Sequence, residues 1–152
     1  MEINNKKTGF TSKVKADPGA TVKDAAFYYR RAVKAYNSRD YEEAEKDFNH
    51  AVEADQNSSL AYFNRGTFYY NEKRYKPAIE DFQKAIKLRA KFAEAYYNLG
   101  CSYVKILSFR EGLNNLKKAI KIEKGFANMA IADQDFSNVN NMKEFKEITL
   151  VV

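Results

Sequence analysis

The side chains able to carry chemistry are few and scattered. His50 is the single histidine and Cys101 the single cysteine. A nucleophile needs a neighbouring base and a structural metal needs several Cys, His or carboxylate ligands at fixed spacing, and neither residue has such companions along the chain. His50 follows Asn49 in an amphipathic stretch, where a solvated outer position is expected. The acid-rich run Asp40, Glu42, Glu43, Glu45 and Asp47 lacks the ligand order and central glycine of a calcium loop, and reads as a solvated helix face. Gly66 and Gly100 stand inside helical patterns, so they do not form a phosphate loop. The expectation is a protein that is not an enzyme and uses no cofactor or metal.

The elements that would position these residues are helices. With 152 residues, 45% of them hydrophobic, the chain has material for one core or a short stack of repeats, and is too apolar to stay unfolded. From Ala25 onward, apolar and small residues recur at intervals of three and four, broken by polar turns. That is the period of paired amphipathic helices. The chain also aligns with itself at an offset of 34: Tyr28, Tyr62 and Tyr96 coincide, then Ala32, Gly66 and Gly100, then Tyr41, Tyr75 and Phe109. Ala44, Ala78 and Gly112 follow, with Phe48, Phe82 and Leu116, and Ala51, Ala85 and Ala119. Three tandem units result, 25–58, 59–92 and 93–126. A unit this short cannot bury its apolar face alone, so the units must stack into one continuous core. The fold class predicted is all-α, an α-solenoid of three helix-turn-helix repeats with C-terminal capping helices. Residues 1–24, rich in Lys, Thr, Ser, Gly and Asn, read as a flexible leader. Residues 127–152 read as a capping helix over 127–133, a turn at Asp135 and Phe136, and a short final helix carrying Phe145, Ile148 and Leu150.

The order of aromatic and small residues resembles the tetratricopeptide repeat, most clearly in the third unit, where Ala93-Glu94-Ala95-Tyr96-Tyr97-Asn98-Leu99-Gly100 carries the motif. Two departures stand out. The proline that closes the second helix in that family is replaced by Gln56, Ala90 and Lys124, and the glycine of the inter-helix turn by Arg39, Lys73 and Leu107, which predicts looser turns. Gly112, where the other units have alanine, predicts a softer third unit.

The resemblance implies that the first helix of each unit lines a concave groove in which a partner's peptide lies. The slots it assigns are Tyr29, Arg30, Val33, Tyr36 and Asn37 in the first unit; Phe63, Asn64, Thr67, Tyr70 and Asn71 in the second; and Tyr97, Asn98, Cys101, Val104 and Lys105 in the third. Asn64 and Asn98 could hydrogen-bond an extended backbone, and Tyr29, Phe63 and Tyr97 would form an aromatic row. Some members hold the C-terminal carboxylate of heat-shock chaperones with lysine, asparagine and arginine. Only Asn64 fits that set; its other slots hold Tyr29, Val33, Glu94 and Asn98.

The functional expectation is therefore a non-catalytic protein–protein interaction module, a scaffold, adaptor or chaperone-like holder of a partner segment. Net charge is +6, with an acidic block at 40–55 and basic sections at 73–91 and 105–124. These blocks suggest an alternative, head-to-tail self-assembly through complementary faces, and a weaker one, nucleic-acid binding. The absence of a long apolar run, together with the lone cysteine, predicts a cytoplasmic protein without a membrane span.

Overall fold

The structure, a computed structural model, describes residues 24–150. The leader expected over residues 1–24 lies outside the described residues except for Asp24, and the final two residues lie outside as well. Three helix pairs follow one another: α1 (Ala25–Asn37) with α2 (Tyr41–Ala54), α3 (Ser59–Asn71) with α4 (Tyr75–Leu88), and α5 (Ala93–Lys105) with α6 (Phe109–Ile122). Then come α7 (Gly125–Ala132), a single 3-10 turn (Gln134–Phe136) and α8 (Lys143–Thr149). Among the described residues every regular element is helical, as the three- and four-residue spacing requires.

Local chemistry sets where several of these helices begin. Asp24 Oδ1 accepts from the Phe27 amide at 2.7 Å, Asp40 Oδ1 from the Glu43 amide at 3.1 Å, and Ser58 Oγ from the Ala61 amide at 3.2 Å. Each bond satisfies one of the donors that a helix start leaves without an intrahelical partner.

The turns within the pairs are closed in one repeated manner, in contrast to the looser turns expected. Arg39 donates its amide to the Tyr36 carbonyl and Asp40 to that of Ala35; Lys73 and Arg74 repeat this to Tyr70 and Tyr69, and Leu107 and Ser108 to Val104 and Tyr103. Closure puts a left-handed backbone on three side-chain-bearing residues, with φ of 62° at Arg39, 59° at Lys73 and 65° at Leu107. A Cβ in that region costs about 1 kcal/mol or more, which glycine avoids. Replacing Leu107, which is largely exposed, with glycine should therefore raise stability by about 0.5–1 kcal/mol, measurable as a shift of the urea midpoint.

The aromatic and small residues that repeat at 34 form the core between these helices. Phe48 of α2 meets Phe68 of α3 with ring centroids 5.3 Å apart, joining the first two units. Phe63 meets Phe82 inside the second unit at 5.8 Å. The small slots permit close approach. A Cβ on Gly66 would sit 2.9 Å from the Phe82 ring. In the third unit two small slots face each other: a Cβ on Gly112 would sit 2.7 Å from a Val104 methyl and 3.1 Å from the Gly100 carbonyl oxygen. Gly112 thus lowers helix propensity and, in exchange, lets α6 lie directly on α5. Gly112→Ala is expected to destabilise by about 1–3 kcal/mol even though alanine is the better helix former, because backbone and a β-branched side chain must move. Thermal unfolding followed by circular dichroism would measure it.

Candidate peptide-binding face

All fifteen slots expected to line a groove lie on the first helices α1, α3 and α5, and their exposure differs sharply from unit to unit. In the first unit Arg30 and Asn37 are exposed, Tyr29 and Val33 half-buried and Tyr36 buried. In the second, Asn71 is half-buried, whereas Phe63, Asn64, Thr67 and Tyr70 are buried. In the third, Tyr97, Asn98, Cys101 and Val104 have no solvent exposure at all, and only Lys105 reaches the surface. The amide pair Asn64 and Asn98, expected to meet a ligand backbone, is thus enclosed. Buried Thr67 turns its hydroxyl back onto the Phe63 carbonyl at 2.9 Å.

The aromatic row is divided for a reason visible at a distance of 29 residues. Phe63 packs on Phe92 with centroids 4.8 Å apart, and one repeat later Tyr97 packs on Phe126 at 4.9 Å. The matching position for Tyr29 is Ser58, which offers no ring. Tyr29 instead lies 6.5 Å from the Phe48 ring and stays partly open, and burial of the covered part pushes its phenol up to about 12.

The closed end has a second cause. The 3-10 turn folds back onto α5, and Phe136 lies edge-on to Tyr97 with centroids 5.6 Å apart. Its two carboxylates are received by groove-slot residues. Tyr97 donates its hydroxyl to Asp133 Oδ2 at 2.8 Å, Tyr70 donates its own to Asp135 Oδ2 at 2.7 Å, and Lys105 Nζ lies 2.6 Å from Asp135 Oδ1. The Asp135 amide completes the turn by donating to Asp133 Oδ1 at 2.9 Å. Burial, reinforced by Cys101 and by these acids, pushes both phenols well above the usual tyrosine value, so they remain donors. Cys101, Asp133 and Asp135 bring potential metal-ligand atoms within 4.8 Å of one another. The donors aimed at these carboxylates, two phenols and an ammonium group, suit hydrogen bonding, and the Lys105 charge opposes a cation.

The three units and their order match a known family profile, described as Tetratricopeptide repeat, at residues 25–58, 59–92 and 93–126. The chain belongs to the tetratricopeptide repeat (TPR) family. Among curated proteins none matches its sequence significantly. Solved structures share the TPR fold at low identity. The first TPR of Spaghetti (RPAP3) bound to the HSP90 peptide SRMEEVD is 18% identical over 83% of this chain and 90% of that one, with a TM-score of 0.65. MamA is 21% identical over 83% of this chain and 72% of its own, with a TM-score of 0.69. The Arabidopsis OM64 TPR domain is 15% identical over 84% and 96%, with a TM-score of 0.64.

Away from the first-helix face, the TPR stack also orders its charges in a way the linear blocks conceal. Asp47, expected to be solvated, is buried, with Arg31 Nε 3.1 Å from its Oδ2. Arg31 also reaches Glu43 at 2.6 Å, and Arg74 reaches Glu45 at 2.7 Å. The acidic block of the first unit is therefore partly neutralised by its own chain, which weakens the case for a complementary face in another copy. His50 is only partly exposed, lying 4.9 Å from the Tyr28 ring and 3.6 Å from Asp47. Asp81 is buried and takes two bonds from Arg65, each 2.8 Å long, while Arg65 also donates to Asn49 at 3.0 Å. No helix among the described residues is long and apolar enough to cross a membrane.

Proposed function

We propose that this TPR chain is a non-catalytic protein–protein interaction module that holds an extended segment of a partner protein on its first-helix face. The observation that carries the reading is the uneven exposure of that face. Its first-unit end keeps Arg30 and Asn37 exposed and leaves Tyr29 and Val33 half-exposed, whereas the corresponding third-unit slots before Lys105 are fully enclosed. An aromatic surface and an arginine supply contact area and donors at low entropic cost, the composition typical of interaction hot spots. The likeness in fold to TPR domains whose structures hold HSP90 and HSP70 peptides supports a peptide ligand of this kind. The lysine, asparagine and arginine set of the chaperone-tail clamp is not reproduced, which argues for a different ligand.

The test follows from the exposures. Asn64 and Asn98 are enclosed, so substituting them would perturb packing along with binding. Tyr29→Ser combined with Arg30→Glu alters the accessible end, at positions less buried than the enclosed Asn64 and Asn98. The wild type should retain a specific partner from native lysate, and the double variant, at unchanged helicity, should lose it by about tenfold or more. Equal retention by both proteins would place the interaction elsewhere.

A further inference from the structure

We propose that the third-unit end of the first-helix face is a receptor for acidic peptide segments, occupied in this chain by its own residues 133–136, which a partner segment must displace. The inference rests on the reading that this face holds peptides, and adds the chemistry of the ligand and the gate in front of it.

Receptor and occupant come from different parts of the chain. Tyr70 belongs to α3, and Tyr97 and Lys105 to α5, so the donors are fixed by the repeat stack. The occupant is one 3-10 turn in the connection between α7 and α8. It presents two carboxylates, two residues apart, followed directly by an aromatic ring. Each carboxylate meets a buried phenol at 2.7–2.8 Å, and one also meets the Lys105 ammonium group at 2.6 Å. Such charge-assisted bonds select carboxylates over amides. Tyr97 lies between the Phe126 and Phe136 rings, at 4.9 and 5.6 Å, so it also provides a place for the aromatic residue.

The occupant is anchored by Phe136, which is fully buried and lies 5.8 Å from the Phe145 ring, while the chain that follows it is mostly open. From residue 137 to the start of α8, only Val139 is buried, while Ser137, Asn138, Asn140, Asn141 and Met142 are exposed. Lifting the turn uncovers the receptor and the Tyr97 ring against which Phe136 packs, so a ligand must bring an aromatic side chain of its own to that place. A ligand with the pattern acidic, any residue, acidic, aromatic would recover the same bonds. Because its own turn is present at high effective concentration, the resting chain should bind such a ligand weakly.

The probe is a labelled synthetic peptide of residues 130–139, Ala-Ile-Ala-Asp-Gln-Asp-Phe-Ser-Asn-Val. Its affinity for the full chain would be measured by fluorescence anisotropy. Asp133→Asn with Asp135→Asn should raise that affinity by about tenfold or more over the wild type, and adding Lys105→Ala should remove the gain. A peptide with both aspartates changed to asparagine should not bind, and binding of the acidic peptide should weaken with salt. No gain in a folded double variant overturns the proposal. If that variant does not fold, hydrogen exchange on the wild type decides: saturating acidic peptide should speed exchange at 133–139 while α1–α6 stay protected, and unchanged exchange overturns it. Failure here together with partner loss in the Tyr29/Arg30 variant would leave the general peptide-binding reading standing. Peptide binding with capture indifferent to Tyr29 and Arg30 would support this receptor and refute the first-unit site.

Discussion

Arg65→Met is expected to lower the stability of the folded chain by about 3 kcal/mol, or roughly 10 °C in melting temperature for a chain of this size. Asp81 is only 4% exposed, and both its oxygens are held by the Arg65 guanidinium at 2.8 Å. Removing the cation leaves a carboxylate inside the stack without its compensating charge, and the Asn49 side-chain carbonyl loses a donor as well. Arg65 also lies over the Tyr62 and Tyr69 rings, at 5.7 and 5.9 Å from their centroids, so its stem and charge hold two aromatics of the same helix. The informative comparison is Arg65→Met combined with Asp81→Leu. A buried pair replaced on both sides by apolar residues of similar volume is often near neutral, so the double variant should recover much of the loss. Urea titrations of the wild type, both single variants and the double variant would measure the coupling. A double variant as unstable as Arg65→Met would show that the cost lies in lost packing, not in the stranded charge.

A loss of about 3–5 kcal/mol is expected for Phe63→Ala, against a clearly smaller one for Tyr29→Ala in the matching slot one repeat earlier. The resemblance implies one role for both positions, a ring on the groove surface. The structure gives them different ones. Phe63 has no exposure and joins Phe82 of its own unit to Phe92 at the entry to the third, so its truncation leaves a cavity where two units meet. Repeat proteins gain stability largely from such nearest-neighbour interfaces, so the third unit should begin to unfold separately from the first two. Denaturation followed by circular dichroism and by hydrogen exchange in α5 and α6 would detect both effects. Equal losses at Tyr29 and Phe63 would contradict the division between the open and closed ends.

The contrast between these two residues shows how far the sequence can be read. Helix type and number follow from a local rule, the return of apolar side chains every three or four residues, and that rule is printed in the chain. The 34-residue offset adds which residues must share a slot, so Gly66 against Phe82 and the small pair Gly100 and Gly112 are legible as close-approach positions. The burial of Phe63 and Tyr97 was also available in principle: Phe92 and Phe126 stand 29 residues after them, where Ser58 stands after Tyr29. The turns are tighter than the missing glycine predicts. Arg39, Lys73 and Leu107 adopt its backbone because paired carbonyls and the helices on either side hold the turn shut.

By itself the sequence determined the repeat, its three units and the all-helical class, since each depends on spacing or residue type within a short window. Only the tertiary structure decided which part of the first-helix face is open. Asp133 and Asp135 lie far from Tyr70, Tyr97 and Lys105 in the chain and meet them at 2.6–2.8 Å because a turn after the last repeat folds back. Arg31 with Asp47 and Arg65 with Asp81 differ from this: each pair joins the two helices of one unit, and the second repeats the first at the 34-residue offset. Asp133 and Asp135 stand outside the three repeats, so no offset along the chain points to their partners, and hydrogen bonds that act over a few ångströms of space become known there only when the helices are packed.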